Sequence, residues 1–216
     1  MKKFCILSDF DGTISTVDSL YSFFKNYATE KWKYVEKLWL ENKINSKECL
    51  IQEFSLVPNL SQELADKYIK TVTIDKYFKD FYDFCQNENI DFYIVSDGVD
   101  YFINGILENH DVKGLKIITN HGVFNKNKID LSFPNDNPQC VMNAGTCKCK
   151  VANDMKKKYE KIIYIGDGVS DFCVCDKADI IFAKSKLARH CEDKGLKYKS
   201  YENFNDILSE VKAHLN

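Results

Sequence analysis

Ser8-Asp9-Phe10-Asp11-Gly12-Thr13, met directly after the apolar run Phe4-Cys5-Ile6-Leu7, decides how the rest of the chain is read. The apolar run is long enough for one buried strand, and the glycine bounds it with a turn. Side chains alternate along an extended backbone, so Asp9 and Asp11 point the same way if the strand continues. Gly12 and Thr13 then turn the chain and offer backbone N–H groups to an anion. Two carboxylates this close repel each other, and the pair persists with one member protonated or with a cation between them. Hard oxygen donors beside a phosphate suit Mg²⁺, which is the expected cofactor. Taken alone, the hexapeptide is equally compatible with two solvated aspartates before a glycine turn.

The composition narrows the function classes. A chain of 216 residues fits one domain, or one domain with a modest insertion, and 44% apolar with 13% aromatic residues can bury a sizeable core. Thirty basic and thirty-two acidic residues nearly cancel, which argues against nucleic acid or an anionic membrane as the main partner. No apolar run approaches the roughly 18 residues of a membrane span. Asp9 interrupts the first apolar run too early for a signal peptide, so a cytoplasmic location is expected. The nine cysteines are an odd number, and Cys5 and Cys85 lie in apolar patterns, which points to reduced thiols rather than a disulfide framework.

Between the opening strand and the next comes a stretch with helical periodicity and scarcely a glycine. Asp18 can cap a helix carrying Leu20, Phe23, Phe24 and Tyr27; Trp32, Val35, Leu38 and Trp39 form a second stripe. Asn45 with Glu48 resembles a capping box for a third helix, and Ser61 starts a fourth after Pro58. Four helices exceed the one crossover a βαβ unit needs, so residues 15–74 are expected to be a helical cap inserted into an α/β core of residues 1–14 and 75–216, the alternative being that they simply pack on the core sheet. Their apolar faces either close a private core or make a homodimer contact.

From Asp75 onward strands and helices alternate. The run Ile90 to Val95 ends at Ser96-Asp97-Gly98, a third strand lies near Leu115 to Thr119, and extended pieces at Gly122–Phe124 and Ile129–Phe133 suggest a hairpin. Residues 134–150 are irregular and carry Cys140, Cys147 and Cys149 among lysines; a helix is expected from about Val151 to Tyr159. Ile162 to Ile165 then runs into Gly166-Asp167-Gly168-Val169-Ser170-Asp171, and a fifth strand is expected at Asp179 to Ala183. The expected fold is a doubly wound, mostly parallel, five-stranded Rossmann-like sheet, with its ligand site at the carboxyl ends of the strands.

Every polar cluster found so far sits at such an end, and together they match what phosphoester cleavage through a covalent intermediate requires. Asp9 can serve as nucleophile and Asp11 as proton donor and acceptor. Ser96 can bond a phosphoryl oxygen, a lysine can balance its charge, and Asp167 and Asp171 can complete a metal site with Asp9.

These segments, in order, resemble the four motifs of the haloacid dehalogenase-like phosphatases, and the likeness covers nearly the whole chain. The resemblance implies that Asp9 becomes the aspartyl-phosphate, that Asp11 is the acid/base and lends its carbonyl to Mg²⁺, and that Asp167 and Asp171 complete the metal site with Asp9. It implies phosphate or substrate contacts at Gly12, Thr13, Ser96, Asp97 and Gly98, and a motif lysine at Lys150, which directly precedes the expected helix, with Lys148 as its rival. The helical insertion is similar to the small cap of the phosphoserine phosphatase branch. The segment Val95 to Phe102, the hairpin and Ile181 to Lys184 are similar to the 2-hydroxy-3-keto-5-methylthiopentenyl-1-phosphate phosphatases of methionine salvage. Gly166 to Cys173 also resembles phosphocholine and phosphoethanolamine phosphatases. Asp97 stands where the salvage enzymes are expected to have glycine.

The resulting expectation is a Mg²⁺-dependent hydrolase of a small phosphomonoester: the salvage enol phosphate, or else phosphoserine, phosphocholine or phosphoethanolamine. A non-catalytic phosphate-ligand sensor on the same scaffold is the alternative from another class, and the retention of Asp9 and Asp11 argues against it. The Cys-x-Cys pair at Cys147 and Cys149 lacks the Cys-x-x-Cys spacing of familiar zinc sites, and plain packing is the expected role of these thiols.

Overall fold

The computed structural model describes residues 2–140 and 143–215, so Val141 and Met142 of the irregular segment lie outside the described residues. Strand β1 (Lys2–Ser8) is the middle of the sheet, flanked in parallel by β2 (Asp91–Val99) and β5 (Tyr159–Gly166). Beyond β2 lie β3 (Lys116–Asn125), parallel, and β4 (Lys128–Ser132), antiparallel. Beyond β5 lie β6 (Ile180–Ala183) and β7 (Lys199–Ser200). The order is β4-β3-β2-β1-β5-β6-β7. The chain therefore builds outward on one side of β1 and then returns to the other, leaving a crevice at the carboxyl end of β1.

The sheet has seven strands among the described residues rather than the expected five. Strand β3 runs unbroken through Gly122–Phe124, so the expected third strand and the first hairpin arm are one element, and the second arm joins the same sheet as β4. Strand β7 is two residues long, too short to carry a periodic signal.

Alternation along β1 explains its continuous apolar run, because a strand with helices on both faces has no wet side. Ile6 packs into the core built with α5 (Phe78–Asn87), α6 (Asp100–Asn109) and α9 (Phe204–Leu215). Cys5 and Leu7 face the opposite core, closed by α7 (Lys148–Met155) and α8 (Ser185–Asp193).

Residues 15–74 hold α1 (Ser19–Tyr27), α2 (Trp32–Leu40), α3 (Ser46–Ser55) and α4 (Gln62–Ile69). Asp18 caps α1 by accepting from Tyr21 N at 2.9 Å, and Asn45 with Glu48 forms the reciprocal capping box of α3. The segment leaves and returns through one short antiparallel contact: Thr16 N donates to Thr73 O at 3.0 Å and Asp75 N to Ile14 O at 2.8 Å. It docks on α6 through aromatic rings, with Phe102 centred 5.1 Å from Phe23 and 5.8 Å from Phe54.

Phe102 is fully buried at this junction. Phe102→Ala should lower the urea-unfolding free energy by about 3–5 kcal/mol. The same change at Tyr34, which is 65% exposed, should stay within about 0.5 kcal/mol.

Candidate active site

The carboxyl end of β1 is extended by one bond, Asp9 N to Ile165 O at 2.9 Å, which carries Asp9 into the crevice as a buried side chain. Beyond it the chain turns tightly, and the N–H groups of Thr13, Ile14 and Ser15 all donate to Phe10 O. Gly12 sits at φ +73°, and a Cβ there would lie 2.6 Å from Asp167 Oδ2, so glycine is needed both for the turn and for the carboxylate's approach. The N–H groups of Gly12 and Thr13, expected to face an anion, are engaged within the turn: Gly12 N donates to Val17 O and Thr13 N to Phe10 O. The Thr13 hydroxyl donates to Asp167 Oδ1 at 2.8 Å and fixes that carboxylate.

The motif lysine requires a correction. Helix α7 begins at Lys148, three residues before the expected start, and its first turn faces the sheet. Lys148 is therefore buried, with Nζ 2.9 Å from Asp9 Oδ2, 2.5 Å from Asp171 Oδ1 and 2.9 Å from Ser170 Oγ. Lys150 lies about 200° further round the helix and faces outward, where its Nζ donates to Asp136 O at 3.0 Å. Burial alone would push the Lys148 ammonium down, but Asp171 and Asp9 outweigh it and hold it above the ordinary lysine range.

Asp171 is wholly buried and accepts from every side. Oδ1 takes Lys148 and the Tyr164 hydroxyl, each at 2.5 Å, and Oδ2 takes Asp167 N and Gly168 N, each at 2.9 Å. Burial first, and then the charge of Asp171, raise both Asp9 and Asp167 above the ordinary carboxylate range. Oxygens of Asp9, Asp167 and Asp171 lie within 4.8 Å of one another. This cluster of hard anionic donors has the chemistry that fits Mg²⁺, and a divalent cation there would relieve the mutual repulsion.

Asp11 is held by the start of α1: its Oδ1 accepts from Ser19 N at 2.8 Å and from the Ser19 hydroxyl. Burial, followed by the nearby charge of Asp18, pushes its carboxyl up to about 7. From β2, Ser96 Oγ accepts from Gly98 N at 3.0 Å, and a Cβ on Gly98 would come within 3.0 Å of Asp11 Oδ2. Asp97 instead ties elements together, accepting from Ser46 of α3, from Asn120 and from Thr146 N.

These groups open into a cavity of about 720 Å³ that reaches into the helical segment. Its far wall is apolar at Phe24, Trp39 and Leu50, yet it also carries Glu36 and Glu53. Their carboxylates lie within 4.8 Å of each other and of the Cys49 thiol. Glu53 is 5% exposed and its Oε1 has no hydrogen-bond partner. Burial, and next the charge of Glu36, push Glu53 up to about 8; Glu36 is likewise raised, chiefly by burial. These two acids were missed in the sequence. The available signal was a glutamate three residues after Leu50 and just before Phe54, inside an apolar helical stripe.

A family model described as Putative Phosphatase matches residues 4–192. A 2-hydroxy-3-keto-5-methylthiopentenyl-1-phosphate phosphatase of Exiguobacterium sp. is 30% identical over 96% of this chain and 97% of its own. Its counterpart in Bacillus pumilus is 32% identical over 97% and 91% respectively. Among solved structures, a phosphoserine phosphatase held as a phospho-aspartyl intermediate analogue superposes with a TM-score of 0.72 at 21% identity, covering 97% of this chain and 99% of that one.

The acid pair, with Glu53 buried and Glu36 half-buried, gives a measurable pH dependence. Glu53 rises from about 4.3 in an unfolded chain to about 8 in the folded one. Its contribution to stability is complete below about pH 4 and is lost as the pH climbs towards 8. Glu53→Gln removes the titration, so its melting midpoint should fall less than that of wild type between pH 5 and pH 8. At the upper pH the variant should gain about 1–3 kcal/mol relative to wild type. Parallel pH profiles would show that the pair carries no such burden.

Proposed function

The chain belongs to the Putative Phosphatase family, a phosphatase on the haloacid dehalogenase-like fold, and on that premise we propose that it hydrolyses a small phosphomonoester through a phosphorylated Asp9. The observation that carries this reading is the pairing of buried Asp9 with the Lys148 ammonium, 2.9 Å apart, beside an Asp11 whose carboxyl burial pushes up to about 7.

In the first half-reaction an Asp9 oxygen attacks phosphorus and the bond to the leaving oxygen breaks, while Asp11 gives its proton to that oxygen. In the second, Asp11 takes a proton from water, the water oxygen bonds phosphorus, and the Asp9–phosphorus bond breaks to release phosphate. A carboxyl pushed up to about 7 by burial is suited to both duties. Lys148 balances the charge of the transferring group, and Ser96 offers its hydroxyl to a phosphoryl oxygen. Mg²⁺, held by Asp9, Asp167 and the Asp11 carbonyl, would supply further neutralisation of the phosphoryl oxygens when bound. The four acceptor bonds of Asp171 favour a positioning role, in which it fixes Lys148 and the turn that carries Asp167. Residues 15–74 act as a cap that completes the substrate chamber and limits water.

For the substrate, we take the enol phosphate named for the relatives, 2-hydroxy-3-keto-5-methylthiopentenyl 1-phosphate. The apolar wall of Phe24, Trp39 and Leu50 suits a methylthio tail. Glu36 and Glu53 favour a second reading, a phosphoester with an ammonium head such as phosphoethanolamine or phosphocholine, because an acidic wall attracts a cation.

Asp9→Asn should abolish phosphate release from every substrate while leaving the fold intact. Lys148→Ala should lower kcat by about 10²-fold or more, and Lys150→Ala should stay within about twofold. Turnover by Asp9→Asn would sink the covalent route. For the substrate, Glu53→Gln should change kcat/KM for the enol phosphate by less than about threefold, whereas a loss above about tenfold confined to amine esters would favour the second reading.

A further inference from the structure

Outside the phosphatase site the irregular segment gathers sulfur. Cys140 comes from the loop, Cys147 is the residue before α7, Cys149 lies in its first turn, and Cys173 belongs to the 3₁₀ turn Val169–Val174 that also holds Asp171. The Sγ of Cys149 is 3.3 Å from that of Cys147 and 3.6 Å from that of Cys140, and the three sulfurs all lie within 4.8 Å of one another. Cys173 approaches from the other element: its Sγ donates to Ser170 O at 3.9 Å and stands outside the 4.8 Å triangle, beside it rather than in it. None of the nine cysteines is in a disulfide. A tetrahedral thiolate site with metal–sulfur bonds of about 2.3 Å has sulfurs roughly 3.8 Å apart, so the triangle already has close to the size needed. Asn137 Nδ2 points at Cys147 Sγ from 3.8 Å, the kind of outer contact that orients a thiolate ligand. Between Phe133 and Cys147 the described residues form no helix or strand, and a stretch of that length within a compact domain needs something to fasten it.

We propose that Cys140, Cys147, Cys149 and Cys173 form a zinc–thiolate site that fastens this loop to the 3₁₀ turn. The soft donor set selects zinc and not the magnesium suited to the carboxylates. Binding exchanges thiol protons for the metal, with no electron transfer: each coordinating thiol releases its proton to solvent as its sulfur bonds zinc. The placement gives the site its purpose. Lys148 lies between two of the ligands in sequence and Asp171 two residues before a third, so one ion ties together the two segments that meet at Lys148 Nζ and Asp171 Oδ1.

The test is elemental analysis of the full chain purified from zinc-supplemented cells in chelator-free buffer. About one zinc per chain is expected, unchanged by excess Mg²⁺. Protein grown with cobalt should show the near-ultraviolet sulfur-to-cobalt charge-transfer band and the visible bands of a tetrahedral thiolate complex. Cys149→Ser should lose zinc at least about tenfold, whereas Cys85→Ala, buried in the core away from the cluster, should retain it. Because Cys149→Ser can fail to fold, the wild-type protein is also alkylated natively with iodoacetamide. Its four cluster thiols should be protected until a strong chelator is added. Folded protein with less than about a tenth of a zinc per chain and no cobalt–thiolate band would overturn the proposal. So would zinc retained by Cys149→Ser, or a disulfide among these four cysteines in the peptide map.

Discussion

A single buried ammonium organises this molecule. Lys148 lies between Asp9 and Asp171, and all three side chains are nearly or wholly shielded from water. An isolated charge so deep would be prohibitive, and removal of one partner strands the others, so the groups must arrive together. Each comes from a different part of the fold: Asp9 from the end of β1, Asp171 from the turn after β5, and Lys148 from the start of α7. Parallel pairing of β1 with β5 brings the first two side by side, and the packing of α7 over that pair delivers the third.

How far this was legible in the sequence depends on how local each feature is. The strand ending at Asp9, the caps at Asp18 and Asn45, and the run of helices from Ser19 to Ile69 could be read, because each is encoded within a few neighbouring residues. Lys148 was harder. Helical phase is set by where the helix begins, and a start three residues early exchanges the lysine that faces the sheet for one that faces solvent. The extra strands escaped for related reasons: β4 is defined by antiparallel pairing, and β7 by its place beside β6 rather than by any pattern of its own. Glu36 and Glu53 lie on separate helices, and only tertiary packing makes them a pair.

The chamber is divided in its chemistry. At the strand ends it is built from rigid backbone and interlocked carboxylates, as phosphoryl chemistry demands. Its far wall comes from α1, α2 and α3, where aromatic and aliphatic side chains surround two acids that share a cramped site. Asp97 couples these halves, since one carboxylate accepts from Ser46 in α3 and from Asn120 in β3. The acidic strand ends and the partly apolar far wall are thus different layers of the same cavity.

The contact between Ser15 and Ile74 has a bearing on how the chain folds. Pairing β1 with β2 looks like the closure of a long excursion, with the entropic cost and the slow search that distant partners entail. Yet in the folded protein the excursion's two ends lie side by side. The intervening residues therefore add nothing to the distance between the end of β1 and the start of α5, and the sheet is spaced as it would be without them.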